Sequence, residues 1–257
     1  MIALWNTLFY DPIYNTLVFF IDVIPGGMVA LAVILLTVLI KFILSPLTRK
    51  AIVSQVRLKT LQPELKRINE LYKDNKEEKA KKTFELYKER KINPFSGCLP
   101  ILIQIPIIFG LYYVFLRGLD FSPDTLYSFI SIPTDVSFQF LGLGDIREKS
   151  IIWALLAGAS QFLHTYHSVS MKSSKEDVKD RSVQGKPSFQ EQLGETMKVQ
   201  MKYILPLFIA VVAYQISAAI AIYWTVSNLF ALAQEYSIRK KTEKTKDIEV
   251  ELISPTS

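Results

Sequence analysis

The segment MVALAVILLTVLIKFILSPLTRK, residues 28–50, indicates the class of protein. Its apolar run, residues 28–47, has the roughly 20 residues needed to cross about 30 Å of bilayer hydrocarbon. One cation, Lys41, interrupts the run, and basic residues begin directly after it with Arg49 and Lys50. An apolar helix that ends in positive charge is typical of a membrane span whose end lies in the cytoplasm.

The composition of the whole chain supports a membrane protein. Half of the 257 residues are hydrophobic, and the mean hydropathy is +0.23, whereas soluble domains are closer to balanced. Charge is segregated: residues 1–28 carry no Lys or Arg, residues 203–234 carry no charge, and 14 of the 30 basic residues lie within 49–91. The single cysteine, Cys98, excludes an internal disulfide.

Five apolar stretches predict five spans, namely residues 28–47, 99–116, 151–168, 203–216 and 218–233. The last two are short, and they could instead form one helix kinked at Pro206 and around residues 215–217. A single span there would place Arg239 and Lys240 outside the cell, against the positive-inside rule. The charges therefore favour two spans, with snorkelling lysines at their cytoplasmic side.

The same rule predicts the topology of the loops. The first loop and the loop before the fourth span, with seven Lys or Arg over residues 172–202, are expected in the cytoplasm. The loop 117–150, with three basic and five acidic residues, and the N-terminus are expected outside. The tail after residue 239 has no apolar period, which predicts disorder.

The N-terminal segment is predicted to be a helix lying in the membrane interface, with a short extra span as the alternative. It lacks the basic start and small-residue cleavage site of a signal peptide, so we expect it to be retained. Its apolar positions are Trp5, Phe9, Ile13 and Leu17, and they alternate with the polar positions Asn6, Tyr10 and Asn15.

Two stripes of apolar residues predict a cytoplasmic helical hairpin within residues 49–92. The first stripe is Leu61, Leu65, Ile68 and Tyr72, and the second is Ala80, Phe84 and Tyr87. Asp74 and Asn75 are the expected turn. The strongly basic surface of the hairpin indicates either a solvated face or contact with anionic lipid, ribosomal RNA or a nascent chain.

The predicted fold is therefore an all-α membrane protein with a bundle of five transmembrane helices, an N-terminal interfacial helix and a cytoplasmic helical hairpin. The predicted segments are 1–27 (interfacial amphipathic helix), 28–48 (first span), 49–98 (cytoplasmic basic hairpin), 99–116 (second span), 117–150 (extracytoplasmic loop), 151–170 (third span), 171–198 (cytoplasmic loop), 199–237 (fourth and fifth spans) and 238–257 (cytoplasmic basic tail).

Lys41 is the most informative single residue. A lysine at mid-membrane costs about 2.5–3.5 kcal/mol on insertion scales, so it normally faces a protein interior or a water-filled cavity. However, Lys41 lies roughly 18 Å along the helix from its start, and its long stem could reach the cytoplasmic headgroups. Thr37, Ser45 and Thr48 share its face of the helix and favour the cavity.

The later spans carry further polar residues, namely Gln104, Gln161, His164, Gln215, Thr225, Ser227 and Asn228. Each alone is more often a helix-packing hydrogen bond than a site, but together they indicate a shared wet cavity. His164 and His167 are spaced to bind a metal, yet no intramembrane carboxylate completes a site, so none is predicted. No base and nucleophile can be assembled for covalent catalysis, so an enzyme is not predicted.

Four motifs in order make the sequence resemble the YidC family of membrane protein insertases over nearly its whole length. They are residues 40–48 (IKFILSPLT), 61–64 (LQPE), 93–106 (NPFSGCLPILIQIP) and 221–230 (AIYWTVSNLF). The resemblance implies five spans around a groove that is open to the cytoplasm and to lipid but closed outside. It also implies one basic residue in that groove, usually Arg, and Lys41 occupies the position here.

The resemblance and the polar pattern together give a set of candidate groove residues. They are Thr37, Lys41, Ser45, Gln104, Gln161, Trp224 and Asn228. Lysine keeps the charge of the usual Arg but loses its bidentate fork. Residues 217–219, Ser-Ala-Ala, depart from the Pro-Ala/Ser-Gly turn that relatives generally show, which leaves the boundary between the last two spans open.

The predicted function is insertion of hydrophobic segments of nascent proteins from the cytoplasm into the bilayer through a hydrophilic groove, without nucleotide hydrolysis or a cofactor. The alternative is a channel or secondary transporter, which the intramembrane charge would also suit. The expected partners are nascent membrane proteins and the lipid bilayer, with the ribosome and the Sec translocon as further candidates. The expected location is the bacterial inner membrane, with the N-terminus outside and the C-terminus in the cytoplasm.

Overall fold

The computed structural model describes residues 2–73, 75–93, 96, 99–119, 121, 125–170 and 199–253. The predicted all-helical class is confirmed, because these residues contain helices, loops and only two isolated β-bridges. The α-helices are α1 (Ile2–Trp5), α2 (Asp11–Val23), α3 (Val29–Thr60), α4 (Gln62–Leu71), α5 (Lys76–Glu89), α6 (Leu99–Arg117), α7 (Ile151–Ser170), α8 (Leu205–Ile216) and α9 (Ala218–Ile253).

The chain forms two compact units. Unit 1 comprises Met1–Ile43 and Ile105–Leu232, and unit 2 comprises Leu44–Gln104 and Ala233–Ser257. Among the described residues, one helical segment, Val29–Leu58, is both long and apolar enough to cross a membrane by length and composition. Two shorter apolar helices are Leu102–Arg117 and Gln200–Ile216.

The N-terminal helix α2 is packed inside unit 1, and this corrects the expected polar face. Tyr10 and Asn15, two polar positions of the predicted interfacial helix, are both buried, and Asn15 is only 1% exposed. The Asn15 amide donates to the Thr125 carbonyl (3.1 Å), and its side-chain oxygen accepts from the Tyr127 backbone N–H (2.7 Å). These bonds replace water and allow a polar residue to be buried.

Short π-helical segments precede two proline-containing helix starts. Asn6–Tyr10 comes directly before α2, which has Pro12 in its first turn, and Gln200–Ile204 comes directly before α8, which has Pro206 there. Proline has no N–H to donate to the carbonyl four residues earlier. A wider turn ahead of each proline accommodates that missing bond.

The loop between α6 and α7 caps the starts of two helices in unit 1. The backbone N–H of Val29 donates to the Ser137 carbonyl (3.0 Å), and the N–H groups of Ala218 and Ala219 donate to the carbonyls of Glu148 and Ile146 (2.8 Å each). The first N–H groups of a helix have no partner within it. The loop therefore fixes the beginnings of α3 and α9.

The segment 203–233 contains two helices, α8 and the start of α9, rather than one kinked helix. Ser217 separates α8 from α9 in a fully extended conformation, with φ −169° and ψ 161°. Its backbone position just before the capped N–H groups of α9 ends one helix and begins the next. The boundary between the two helices is therefore at Ser217.

Helices α7 and α8 are antiparallel and in close contact. The rings of Phe162 and Tyr203 lie 6.1 Å apart, while at the other end the Lys149 ammonium donates to the Gln215 side-chain oxygen (3.1 Å). Between these points Gly158 faces Ala210, and a Cβ built on Gly158 would lie 2.8 Å from the Ala210 Cβ. Small residues allow this approach, as is usual between membrane helices.

In unit 2, α4 and α5 form the predicted hairpin. The Asn75 side chain caps α5 by accepting the Glu78 N–H (3.1 Å), and Arg90 bonds both oxygens of Glu64 across the hairpin (2.9 and 3.1 Å). Asp74, the other residue of the expected turn, lies outside the described residues.

The core of the hairpin differs from the predicted second stripe, of which Ala80 and Phe84 are exposed and Tyr87 is half-buried. Leu61, Leu86 and Ile92 are its buried residues, whereas Phe84, expected in the second stripe, is 61% exposed. Leu61 and Ile92 lie outside the two hairpin helices and form one cluster with Leu86. Their positions therefore determine which face of α5 is covered.

The prediction of a disordered tail from Arg239 is wrong for most of its length. Helix α9 continues without a break to Ile253, and Arg239 itself is buried. The cytoplasmic loop predicted at 171–198 and residues 254–257 lie outside the described residues.

Candidate functional site

Lys41 lies on α3 in unit 1 with its side chain half-buried. One turn earlier, Thr37 is buried, and its hydroxyl donates to the Val33 carbonyl (2.6 Å). The residues that follow Lys41 face outward and are apolar: Phe42 is 64% exposed, and its ring contacts that of Phe230 edge-on at 5.3 Å. Lys41 therefore lies at a border between a covered polar face and an exposed apolar face of the same helix.

A buried hydrogen bond joins α7 to α9 in unit 1. The Asn228 amide donates to the Ser160 hydroxyl oxygen (3.2 Å), and that hydroxyl donates to the Ala157 carbonyl (2.9 Å). Trp224, one turn before Asn228, is also buried. Asn228 thus holds two helices together, and Ser160 is a participant that the sequence analysis did not select.

Gln161 is half-buried and bonds within its own helix. Its amide donates to the Thr165 hydroxyl oxygen (3.0 Å), and the Thr165 hydroxyl donates to the Gln161 carbonyl (2.6 Å). These bonds fix the orientation of the Gln161 side chain. Its side-chain amide oxygen remains an acceptor, since the bond from Thr165 goes to the backbone oxygen.

Ser45 lies in unit 2 and contacts α9. The Gln234 amide donates to the Ser45 hydroxyl oxygen (2.8 Å) and approaches its backbone carbonyl (3.4 Å). The next residue is Pro46, which cannot donate a helical hydrogen bond and bends a helix. Gln234 thus bonds to α3 next to the position where Pro46 interrupts its helical hydrogen bonds. Gln104, also in unit 2, is half-buried.

A buried ion pair on α9 was missed by the sequence analysis. The Arg239 guanidinium contacts the Glu235 carboxylate at 2.6 and 2.8 Å, and the two side chains are 5% and 6% exposed. The available signal was the position of Glu235, which is the first charge after the uncharged stretch 203–234 and lies one turn before an arginine.

The candidate groove residues are divided between the two units. Unit 1 holds Thr37, Lys41, Gln161, Trp224 and Asn228, and unit 2 holds Ser45 and Gln104. Within the described part of the chain, no group of three or more His, Cys, Asp or Glu side chains could hold a metal ion. The candidate groove residues of unit 1 therefore supply one cation, Lys41, together with amide and hydroxyl groups and the Trp224 indole.

Comparison with known proteins gives a consistent family match. The family model described as "60Kd inner membrane protein" matches residues 20–246. A Membrane protein insertase YidC of Fusobacterium nucleatum is 34% identical over 218 residues, which cover 84% of this chain and 88% of that one. A Membrane protein insertase YidC of Francisella tularensis subsp. novicida is 31% identical over 215 residues, and the chain spans a third of its length (33%).

One solved structure shows a similar fold. It is described as "Active YidC insertase crystal structure with the first transmembrane domain resolved", and it superposes with a TM-score of 0.58 at 23% identity. The match covers 88% of this chain and 46% of that one. At this identity the likeness concerns the fold alone.

Proposed function

The chain belongs to the 60Kd inner membrane protein family and is a membrane protein insertase of the YidC type, and from this premise we propose the route by which it acts. Hydrophobic segments of new proteins enter from the cytoplasm, pass along a polar groove formed by the spans, and leave sideways into lipid. The half-buried cation Lys41 on α3 is the observation that carries this route.

We place the chain in the bacterial inner membrane with five spans. The N-terminus and the loop 117–150 lie outside, and the hairpin and the C-terminus lie in the cytoplasm. Charge segregation supports this arrangement, since the hairpin region 49–91 has 14 Lys or Arg while the loop has three. The capping of α3 and α9 by that loop supports a closed outer side.

Burial of the substrate's apolar segment drives the reaction. At about 25 cal/mol per Å² of apolar area removed from water, a span of roughly 20 residues releases enough free energy to offset the crossing of a short polar tail. The sequence has no G-x-x-x-x-G-K-[ST] motif for nucleotide binding. Polar groups within the groove lower the cost of carrying that tail.

Lys41 attracts the acidic tails of substrates as they enter. Lysine is a compact point charge without the planar fork of arginine, so it selects for charge rather than for a bidentate carboxylate contact. Its position at the border of the covered face of α3 leaves the ammonium in a partly dry environment, where an ion interaction is stronger than in water.

The partners that fit this route are nascent membrane proteins and the bilayer, with the ribosome and the Sec translocon as candidates for the cytoplasmic side. The basic hairpin supports contact with an anionic partner there, since exposed lysines surround its small core. A channel or secondary transporter would also suit an intramembrane cation, and ion flux through reconstituted vesicles distinguishes that function from insertion.

The test compares two substrates that differ only in the charge of the translocated tail, one acidic and one neutral. We expect Lys41→Arg to insert both like the wild type, because the charge is kept. Lys41→Ala should reduce insertion of the acidic-tailed substrate by about tenfold, which corresponds to roughly 1.4 kcal/mol of lost interaction. The neutral-tailed substrate should be affected much less.

Lys50→Ala is the matched control, since Lys50 is an exposed lysine nine residues further along the same helix. It should insert both substrates normally. Equal losses for both tails in Lys41→Ala would show that Lys41 serves hydration or folding of the groove, and the electrostatic role would be wrong.

A further inference from the structure

Arg117 ends α6 in a cluster of aromatic rings. Its guanidinium lies 4.6 Å from the centre of the Tyr10 ring and 5.8 Å from that of Tyr113. Tyr10 is stacked in turn on Tyr14 at 5.7 Å, and the Tyr14 hydroxyl accepts the Phe121 backbone N–H (3.1 Å). The cluster therefore holds the Arg117 guanidinium on a rigid aromatic support built from two distant parts of the chain.

The guanidinium carbon of Arg117 lies over the Tyr10 and Tyr113 rings, which have no carboxylate to bond its N–H groups. Among the described residues, no hydrogen bond or ion pair is made by this side chain. A guanidinium has five N–H donors in its plane, and their fork geometry matches phosphate and carboxylate groups. Because no described residue bonds the donors of Arg117, this part of the chain leaves them to a planar or tetrahedral anion.

Arg147 shows that ring stacking alone does not leave an arginine available. Its guanidinium lies 4.0 Å from the centre of the Phe138 ring, but its donors bond the Asp145 carboxylate at 2.5 to 3.1 Å. This bonding holds the pKa of Asp145 below its ordinary value. Arg147 therefore has an internal anion, and Arg117 has none among the described residues.

The surroundings of Arg117 indicate where its anion comes from. It ends an apolar helix, and Leu116, Tyr113 and Phe109 on that helix are exposed. Exposed apolar residues of a membrane span face acyl chains, and a cation at the end of the span reaches the headgroups. The ligand that combines acyl chains with an anion at this depth is a phospholipid.

We propose that Arg117, supported by Tyr10 and Tyr113, binds the phosphate of a membrane phospholipid at the end of α6. The site rests on the membrane placement proposed above but does not depend on the groove or on insertion activity. A bound lipid would connect α6 to the N-terminal helix. The shared ligand chemistry is a phosphate ester, which could come from a lipid or from a soluble phosphate.

Three ligands separate these sources when binding to the purified protein in detergent is measured by native mass spectrometry. They are phosphatidylglycerol, the diacylglycerol with the same acyl chains, and glycerol 3-phosphate. We expect phosphatidylglycerol to bind at least tenfold more tightly than either of the others. Equal binding of diacylglycerol would overturn a phosphate site, and equal binding of glycerol 3-phosphate would overturn a lipid site.

The variant Arg117→Gln should weaken phosphatidylglycerol binding by about tenfold, because it removes charge-assisted hydrogen bonds. Arg147→Gln is the matched control and should bind the lipid like the wild type. Thermal unfolding of both variants reports whether either has lost its fold. If Arg117→Gln does not fold, lipid binding is measured instead with Arg117→Lys, which keeps the charge. Wild-type lipid binding by Arg117→Gln would overturn the proposal.

Discussion

Glu235 and Arg239 bury two opposite charges on one face of α9, one helical turn apart. Removing both charges from water costs several kcal/mol per ion, and their mutual attraction offsets this only while both are present. Such a pair therefore contributes little net stability compared with apolar residues of similar size. Loss of one partner is far more damaging, because it removes the ion pair while the other charge stays buried.

We expect the single variants Glu235→Leu and Arg239→Met each to destabilise the protein by about 3–5 kcal/mol. The double variant should unfold close to the wild type, since it removes both desolvation costs and keeps the side-chain volume. Thermal and denaturant unfolding of the purified protein in detergent would measure these differences. A double variant that loses the sum of the two single losses would show that the pair does not act as a unit.

Individual residues differed in how far the sequence revealed them. Lys41 could be selected because a charge within an apolar run is visible without any partner. The bond between Asn228 and Ser160 could not, because a serine on a neighbouring helix has no mark in the sequence. Asn15 was assigned to the wrong environment for the same reason, since its partners Thr125 and Tyr127 lie far along the chain.

Helices α7 and α8 show how small residues determine an element's packing. A Cβ on Gly158 would lie 2.8 Å from the Ala210 Cβ and 3.2 Å from the Pro206 carbonyl oxygen. The first distance is shorter than normal carbon contacts, and the second atom belongs to the backbone and cannot rotate away. The helices must therefore separate if residue 158 acquires a side chain.

Gly158→Ala should destabilise the contact between α7 and α8 by about 1–3 kcal/mol despite the better helix propensity of alanine. Adding Ala210→Gly should recover part of that loss, because it removes the carbon atom that the new methyl group meets. Ala159→Leu, at an exposed neighbouring position, is the control and should be nearly neutral. Unfolding midpoints in detergent measure all three, and absence of rescue by Ala210→Gly would contradict the proposed contact.

The elements themselves were mostly predictable, and their rotation was not. Apolar periodicity located α4 and α5 because a helix must cover one stripe to be stable in a small unit. The stripe containing Phe84 lies beside the one containing Leu86, and both are compatible with the sequence. Leu61 and Ile92, which come from outside the two helices, select Leu86, and such a tertiary choice has no local signal.

At the scale of the whole molecule, span number and orientation depend on charge rather than on helix length. Helix α8 has 12 residues and is about 18 Å long at 1.5 Å per residue, against about 30 Å of hydrocarbon. Length alone would not count it as a span. The Lys149–Gln215 contact places its C-terminal end beside the loop 117–150, so that end should share the loop's side of the membrane.

Labelling of single cysteines from one side of the membrane tests the whole topology. With Cys98 replaced by serine, a membrane-impermeant maleimide added outside should label Phe129→Cys in the exposed outer loop, but not Glu77→Cys in the hairpin. Lys240→Cys on α9 decides between two spans and one over residues 203–233. Two spans return the chain to the cytoplasm, so Lys240→Cys should react only after permeabilisation. Labelling of Lys240→Cys from outside would reduce the count to four spans. Labelling of Phe129→Cys and Glu77→Cys from the same side would overturn the predicted topology of the first three spans.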